Sequence, residues 1–201
     1  MNCGAVGSIN IYLLNYEFNG SRAEEAGYQH SLSARLLSYI IKAETGKSLA
    51  ELTVSKSEKG KPYIKDFPLK FNLSHTKGLV AAACGQGEVG LDVQRVGTFP
   101  ERVARRVCTP SEYRRLISSP DPAGEFYSLW TFKEAFVKWL GAGLSYPLNR
   151  ATLDEGRSVL SVYPGLKIFS FNDGQYAVTA VEDGGCEGNF IKLGPWPIIE
   201  S

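Results

Sequence analysis

The chain has 201 residues, of which 43% are hydrophobic and 21% charged, and its formal net charge is +1. This composition is typical of one large or two small globular domains and excludes collagen-like, coiled-coil and disordered architectures. No apolar run is long enough to cross a bilayer, and no basic segment precedes the first apolar stretch as in a secretory signal. We therefore expect a cytoplasmic protein with no membrane partner.

Cysteines and histidines limit the metal chemistry. The four cysteines are far apart and form no zinc or disulfide pattern, which predicts idle or buried thiols in a reducing compartment: Cys3, Cys84, Cys108 and Cys186. The two histidines are too few for a histidine-rich site. Any metal bound here would therefore be held by oxygen ligands, which suits magnesium.

The charge is unevenly distributed along the chain. Residues 42–77 and 95–115 each carry a net charge of +4, and residues 151–201 carry −4. Two basic segments indicate an anionic partner, either a phosphate-rich ligand or an acidic protein, although a solvated basic face is an equally simple interpretation. We expect no nucleic-acid partner, because the sequence contains neither a zinc-finger nor an RNP pattern.

The first half of the chain predicts a strand, a helix and three further strands. Residues 8–14 alternate as in a strand, and the capping box of Ser21 with Glu24 starts a helix that ends near Gly46. A polar, turn-rich loop is expected over residues 56–68. The remaining strands are predicted over 69–75, 79–85 and 88–94, the first two joined by a tight turn.

The second half predicts helices followed by strands. One helix starts at Thr109-Pro110, with Glu112 at its third position, and another runs from Asp121-Pro122 to Gly141. Strands are predicted over residues 158–163, 166–171 and 175–181, the last two joined by Asn172-Asp173-Gly174.

Two segments of equal span are similar. Residues 69–83 and 166–180 both begin Leu-Lys and both end on small apolar residues. A duplicated unit explains this similarity, and so does the general likeness of hairpins. Under the interpretation of a duplicated unit, the fold would be α+β with two similar subdomains, residues 1–87 and 88–201. Each would be a helix packed on a small antiparallel sheet, and a pseudo-two-fold axis would relate the two.

Asp92 and Glu134 are the candidate chemical residues. In the strand 88–94, Leu91 and Val93 point to one face and Asp92 to the other, where a buried carboxylate needs a cation or hydrogen bonds. Glu134 and Lys138 lie one turn apart on the 122–140 helix. They form either a surface ion pair or, given the aromatic side chains around them, a semi-buried functional pair.

A metal would reconcile the two acidic residues. Two carboxylates that meet in space repel each other unless a cation lies between them. Magnesium bound by Asp92 and Glu134 would leave positions for substrate phosphates, and Lys138 lies within reach of such a phosphate. The sequence therefore indicates displacement at phosphorus, with the acidic Asp92 and Glu134 and the basic Lys138 as catalytic residues.

Several ordered motifs resemble those of the 4′-phosphopantetheinyl transferases. The run GLDVQ (90–94) is followed by LWTFKEAFVKWLGAGLSYPL (129–148), and GKP (60–62) and FNLSH (71–75) are similar to motifs further upstream in that family. The length resembles the larger, pseudo-dimeric type, similar to the enzyme that activates surfactin synthetase.

The resemblance implies a reaction and its partners. The 4′-phosphopantetheine arm of coenzyme A would pass to a serine of an acidic acyl or peptidyl carrier protein. The products would be holo carrier protein and 3′,5′-ADP, and the cofactor would be magnesium, with manganese as a substitute. The resemblance also implies a monomer, since two similar halves supply the site within one chain.

The resemblance assigns roles residue by residue. Asp92, Gln94 and Glu134 match the metal positions, Glu134 also matching a base, and Lys138 matches the lysine on the diphosphate. Lys133 matches a residue that supports the helix end or a phosphate. The residues matching the surroundings of the coenzyme A phosphates are Lys61, Ser74, His75, His30 and Ser31.

Two positions depart from the family pattern. Gln94 stands where glutamate is frequent at the third metal position, and it brings an oxygen without a charge. His30 stands where arginine usually begins the ligand motif of the first helix, and a histidine is a weaker partner for a phosphate.

Alternatives to a transferase remain open. One is a non-catalytic module of the same fold that binds coenzyme A or a carrier protein, and another is a magnesium enzyme acting on a different nucleotide diphosphate. Arg102, Arg105 and Arg106 share one helix face and would steer an acidic carrier protein, unless they are only a solvated surface.

Overall fold

The structure is a computed structural model that describes residues 8–143, 145–154, 158–184 and 187–194. Helices and strands alternate irregularly over these ranges, so the fold is mixed α+β. The strands are β1 (Ile9–Asn15), β2 (Val54–Lys56), β3 (Pro62–Ile64), β4 (Lys70–Thr76), β5 (Leu79–Gly85), β6 (Val89–Arg95), β7 (Leu166–Asn172), β8 (Tyr176–Asp183) and β9 (Gly188–Leu193). The α-helices are α1 (Arg22–Thr45), α2 (Glu101–Val107), α3 (Pro110–Ile117), α4 (Pro122–Leu140) and α5 (Val159–Val162). Within these ranges, no helix combines the length and apolarity needed to cross a membrane.

The first sheet has the strand order β4-β5-β1-β9. Strand β1 pairs antiparallel with β5 and parallel with β9, so this sheet is mixed and not, as expected from the sequence, antiparallel throughout. Helix α1 covers one face of this sheet, where Leu36 and Ile40 pack with Tyr12 and Val80. The predicted capping box of α1 is confirmed. The Ser21 hydroxyl accepts a hydrogen bond from the Glu24 amide, and the Glu24 carboxylate accepts one from the Ser21 amide.

The second sheet has the order β6-β8-β7, with all pairs antiparallel. Helix α4 packs against β6 and β8 through Phe136 and Ala135. Asp121 caps its first turn, and Gly141 ends it in the left-handed region at φ +64°. The predicted start and end of this helix are therefore confirmed.

The faces of the two sheets that point away from the helices share one apolar core. Ile11 of β1, Leu91 of β6 and Val178 of β8 are fully buried in it. The molecule is thus layered as α1, first sheet, second sheet, α4. The side chains of β6 that point away from this core are directed towards α4, and this orientation places the site described below.

Two predictions about elements need correction, and one strand has no counterpart in the predictions. Residues 158–163, predicted as a strand, contain the one-turn helix α5, because the Ser158 hydroxyl accepts the Leu160 amide and caps it. The predicted loop 56–68 contains β3, which forms a small hairpin with β2. Strand β9 was not predicted, because its partner β1 is far away in the sequence.

Two of the four thiols can be compared with the sequence expectation, and both agree with it. Cys84 and Cys108 are free and buried. Burial raises the pKa of the Cys108 thiol to about 11, so it stays protonated and unreactive at neutral pH. Cys3 and Cys186 lie outside the described residues.

Candidate active site

Asp92 of β6 is the centre of a buried polar network. Only 3% of the residue is exposed. Its Oδ1 accepts hydrogen bonds from Lys138 Nζ at 2.7 Å and from the Ser74 hydroxyl at 3.1 Å. Its Oδ2 accepts from Gln94 Nε2 at 3.0 Å. The buried carboxylate thus has both the cation and the hydrogen bonds that its burial requires.

Gly90 explains how β6 comes so close to α4. A Cβ atom at this position would lie 2.0 Å from the Ala135 carbonyl oxygen and 2.5 Å from the Trp139 amide nitrogen. Only glycine permits that approach of strand backbone to helix backbone. Two residues further along the strand, Asp92 therefore lies within reach of the Lys138 side chain.

Glu134 and Lys138 lie one turn apart on α4, and both are partly buried, as expected. Burial raises the pKa of Glu134 above its ordinary value, and the negative charge of Asp92 raises it further. In the described part of the chain, the Glu134 carboxylate makes no hydrogen bond and no ion pair. It is therefore available to a proton or a cation.

The Lys138 ammonium uses all of its donors within the protein. Besides Asp92, it donates to the Ser74 hydroxyl at 3.0 Å and to the Leu91 carbonyl at 2.9 Å. An ammonium has three N–H groups, so a ligand phosphate would have to replace one of these acceptors.

A pocket of about 260 Å³ lies beside this network. Glycines, apolar residues, lysines, one amide and one carboxylate line it: Lys59, Gly60, Lys61, Asn72, Leu73, Glu134, Val137, Lys138, Gly141 and Gly143. Two larger clefts, of about 490 and 510 Å³, are lined by residues other than those of the Asp92 network. The combination of three lysines with a carboxylate makes the smaller pocket the candidate site for a phosphorylated ligand.

The loop before β3 supplies two of those lysines. Lys61 Nζ forms an ion pair with Glu88 at 3.1 Å, and Lys59 Nζ donates to the Ala142 carbonyl at 3.1 Å. Sequence reasoning selected Lys61 but missed Lys59 and Asn72. Lys59 directly precedes the GKP motif and Asn72 lies within the FNLSH motif, so proximity to these motifs is the sequence signal that could have identified them.

The histidines lie together at the edge of the site. The His30 and His75 rings are 5.7 Å apart and nearly edge to face. Burial lowers the pKa of His75, and the neighbouring His30 and Lys138 lower it further. Neither histidine lines the 260 Å³ pocket, and Ser31 is exposed on α1.

Lys133 has a different environment from the other candidate residues. Its side chain is fully buried and forms an ion pair with Glu112 at 2.9 Å. The ammonium also donates to the carbonyls of Leu148 and Ala151, at 3.2 and 2.7 Å. Of the two roles that the resemblance gave Lys133, these contacts fit support of the helix and leave no N–H group for a phosphate.

Comparison with known proteins gives the family. The sequence-family model of the 4′-phosphopantetheinyl transferase superfamily matches residues 88–181, which include Asp92, Glu134 and Lys138. A 4′-phosphopantetheinyl transferase of Bacillus subtilis is 32% identical over 159 residues, covering 73% of this chain and 71% of that protein. This chain therefore belongs to the 4′-phosphopantetheinyl transferase superfamily.

Two other relatives are longer than the part of them that this chain matches. The 4′-phosphopantetheinyl transferase gsp of Aneurinibacillus migulanus is 32% identical over 110 residues, covering 54% of this chain and 46% of that protein. The transferase psf-1 of Bacillus pumilus is 31% identical over 131 residues, covering 62% of this chain and 56% of that protein. The chain thus spans about half the length of these two relatives.

Proposed function

We propose that this protein transfers the 4′-phosphopantetheine arm of coenzyme A to a serine hydroxyl of an acyl or peptidyl carrier protein. The products would be holo carrier protein and 3′,5′-ADP. The observation that carries the proposal is the pairing of two carboxylates, Asp92 and Glu134, beside a pocket lined by three lysines. Family membership supports the same reaction.

The donor set suits magnesium. Asp92, Glu134 and the side-chain carbonyl of Gln94 are hard oxygen donors, which Mg²⁺ prefers. The raised pKa of Glu134 reflects an unfavourable negative charge beside Asp92, which a divalent cation would relieve. These three residues would hold the ion, and the ion would neutralise charge on the diphosphate of coenzyme A. Manganese prefers the same donors and would substitute for it.

The lysines of the pocket bind and orient the diphosphate. Lys61 exchanges its surface partner Glu88 for a phosphate oxygen, and Lys138 exchanges one of its three protein acceptors. Both ammonium groups act as point charges that stabilise the charge on the reacting phosphoryl group. The neighbouring His75 and His30, with Ser31 next to His30 on α1, would contact a peripheral phosphate of the ligand.

Glu134 is the candidate base. Its carboxylate has no other partner in the described residues. It would accept the proton of the attacking serine hydroxyl directly or through a water molecule.

The arginine-bearing helix α2 is the proposed contact for an acidic carrier protein. Arg102, Arg105 and Arg106 are all exposed, and Arg105 also forms an ion pair with Glu101 and lies over the Tyr113 ring. Steering by these charges acts mainly on the association rate. Substituting Arg102 and Arg106 together by alanine should therefore slow association and weaken its salt dependence.

We also propose that the two halves are similar subdomains, residues 1–87 and 88–201, related by a pseudo-two-fold axis, with β9 of the second half added to the sheet of the first. In support, each half follows a strand with a helix and a hairpin, and the sheet orders β4-β5-β1 and β7-β8-β6 correspond. Such a chain would act as a monomer, which sedimentation analysis tests. The free, buried Cys84 and Cys108 fit the reducing conditions of a cytoplasm.

Intact-mass analysis of apo carrier proteins tests the activity. Incubation with this protein, coenzyme A and Mg²⁺ should add the mass of one phosphopantetheine arm, and EDTA should prevent the addition. Glu134→Gln should abolish transfer, whereas Glu125→Gln, an exposed position of the same helix, should not. A folded protein that binds coenzyme A but modifies no carrier in a broad panel would instead support the non-catalytic module.

A further inference from the structure

The two sheets meet at two edge strands joined by side chains. β4 is an edge of the first sheet and β6 is an edge of the second. The backbone amides of Leu91, Val93 and Arg95 in β6 donate hydrogen bonds to alternate side chains of β4. Asn72 Oδ1 accepts from the Leu91 amide at 2.9 Å, Ser74 Oγ from the Val93 amide at 3.3 Å, and Thr76 Oγ1 from the Arg95 amide at 3.2 Å.

This arrangement determines the position of β6 along β4. Outward-facing amides of an edge strand recur every two residues, and so do the side chains on one face of its neighbour. A shift by one residue would bring side chains of the other face to β6 and break all three bonds. The three bonds therefore fix a register between strands that share no backbone pairing.

Ser74, the central residue, connects this register to the candidate active site. Its hydroxyl donates to Asp92 Oδ1 and accepts from the Val93 amide and Lys138 Nζ. A hydroxyl has one donor and two acceptor positions, and all three are used within the protein. The geometry leaves Ser74 no capacity to bind a phosphate without breaking a bond of the network.

We propose that Asn72, Ser74 and Thr76 are positioning residues that set β6 along β4 and so hold Asp92 against Lys138. This inference rests on the proposed function for its catalytic consequence, but the register itself is testable without any activity. It assigns Ser74 to the alignment of the carboxylate, whereas the sequence motif alone places it at a ligand phosphate. It also adds Thr76, which lies outside every motif quoted above.

Amide hydrogen exchange tests the register. Thr76→Val keeps the shape of the side chain and removes the acceptor, so exchange of the Arg95 amide should accelerate roughly fivefold, as expected for one lost hydrogen bond. Thr76→Ser should restore protection. The matched control is Thr53→Val, at an exposed threonine whose side chain has no hydrogen bond in the described residues.

Binding and turnover of Ser74→Ala separate alignment from ligand contact. If Ser74 positions Asp92 and Lys138, kcat should fall at least tenfold while the KM for coenzyme A and the Kd for 3′,5′-ADP stay within twofold. Thr76→Val should lower kcat in the same direction by a smaller factor, and Thr76→Ser should recover it.

Two results would overturn the inference. One is unchanged Arg95 exchange in Thr76→Val, which would show that the hydroxyl does not hold β6. The other is a Ser74→Ala variant with unchanged kcat and weakened 3′,5′-ADP binding, which would make Ser74 a ligand contact. If the unaltered protein transfers nothing, the proposed function fails, while the exchange experiment still decides whether β4 side chains set the register.

Discussion

Replacing Lys133 by methionine should strongly destabilise the protein. The substitution keeps most of the side-chain volume and removes the ammonium that joins α4 to α3 and to the turn at Leu148–Arg150. Glu112, with 1% of its side chain exposed, would remain as a buried carboxylate without its cation. The Leu148 and Ala151 carbonyls would each lose a donor.

The magnitude follows from the number of partners lost. Removing one member of a buried ion pair costs about 3–5 kcal/mol, because the remaining charge stays out of water. A typical total stability is about 5–15 kcal/mol, so this one change removes a large fraction. With a urea m-value of about 2 kcal/mol/M, the unfolding midpoint should fall by about 2 M.

Urea unfolding followed by circular dichroism measures this shift. Lys167→Met is the matched control, since Lys167 is an exposed lysine of β7 and its loss should change stability by less than about 0.5 kcal/mol. The double variant Glu112→Gln with Lys133→Met should recover part of the loss, because the uncompensated charge is gone. A Lys133→Met protein within about 1 kcal/mol of the original would refute this account of the buried pair.

Three further variants test the site. Without metal at pH 7, Glu134→Gln should be more stable than the original protein, because the raised pKa of Glu134 means that its ionisation destabilises the fold. In urea unfolding, the difference in stability between the two proteins should grow as the pH rises above 4.5. A difference that does not depend on pH would contradict this. The NMR titration midpoint of His75 should lie below 6.5 and move upward in His30→Ala; no movement would mean that the rings do not interact electrostatically. Gly90→Ala should cost about 1–3 kcal/mol in thermal unfolding and lower transfer activity, because β6 must move away from α4; unchanged stability would refute the close approach.

Local signals were sufficient for much of the fold. The capping boxes at Ser21 and Thr109 and the terminal glycines Gly46 and Gly141 act within one helical turn, and the structure contains all four. By contrast, β9 pairs with a strand at the other end of the chain, and no local pattern encodes that contact. At residues 158–163 a local serine cap competes with β-branched side chains, and the cap determines the structure.

The candidate site was predictable in its residue types and less so in its contacts. Alternation in β6 put Asp92 on the face opposite Leu91 and Val93, and helical spacing in α4 put Glu134 and Lys138 on one face. That the two elements bring these groups together was a supposition, which neither pattern implies. The sequence does not show that Lys133, next to Glu134, points into the protein interior and away from the candidate site. Helical rotation separates neighbouring residues by about 100°, so only the packed structure distinguishes a ligand-facing lysine from a structural one.

The parallel pairing of β9 with β1 has a consequence for biosynthesis. A ribosome adding about 5–20 residues per second needs roughly 10–30 s to make the segment between these two strands. Once β5 has been synthesised it can pair with one edge of β1, while the other edge of β1 stays unfilled until β9 is made. The first sheet to begin forming is therefore completed only after the whole second sheet has emerged, and the nascent chain exposes an open strand edge until then.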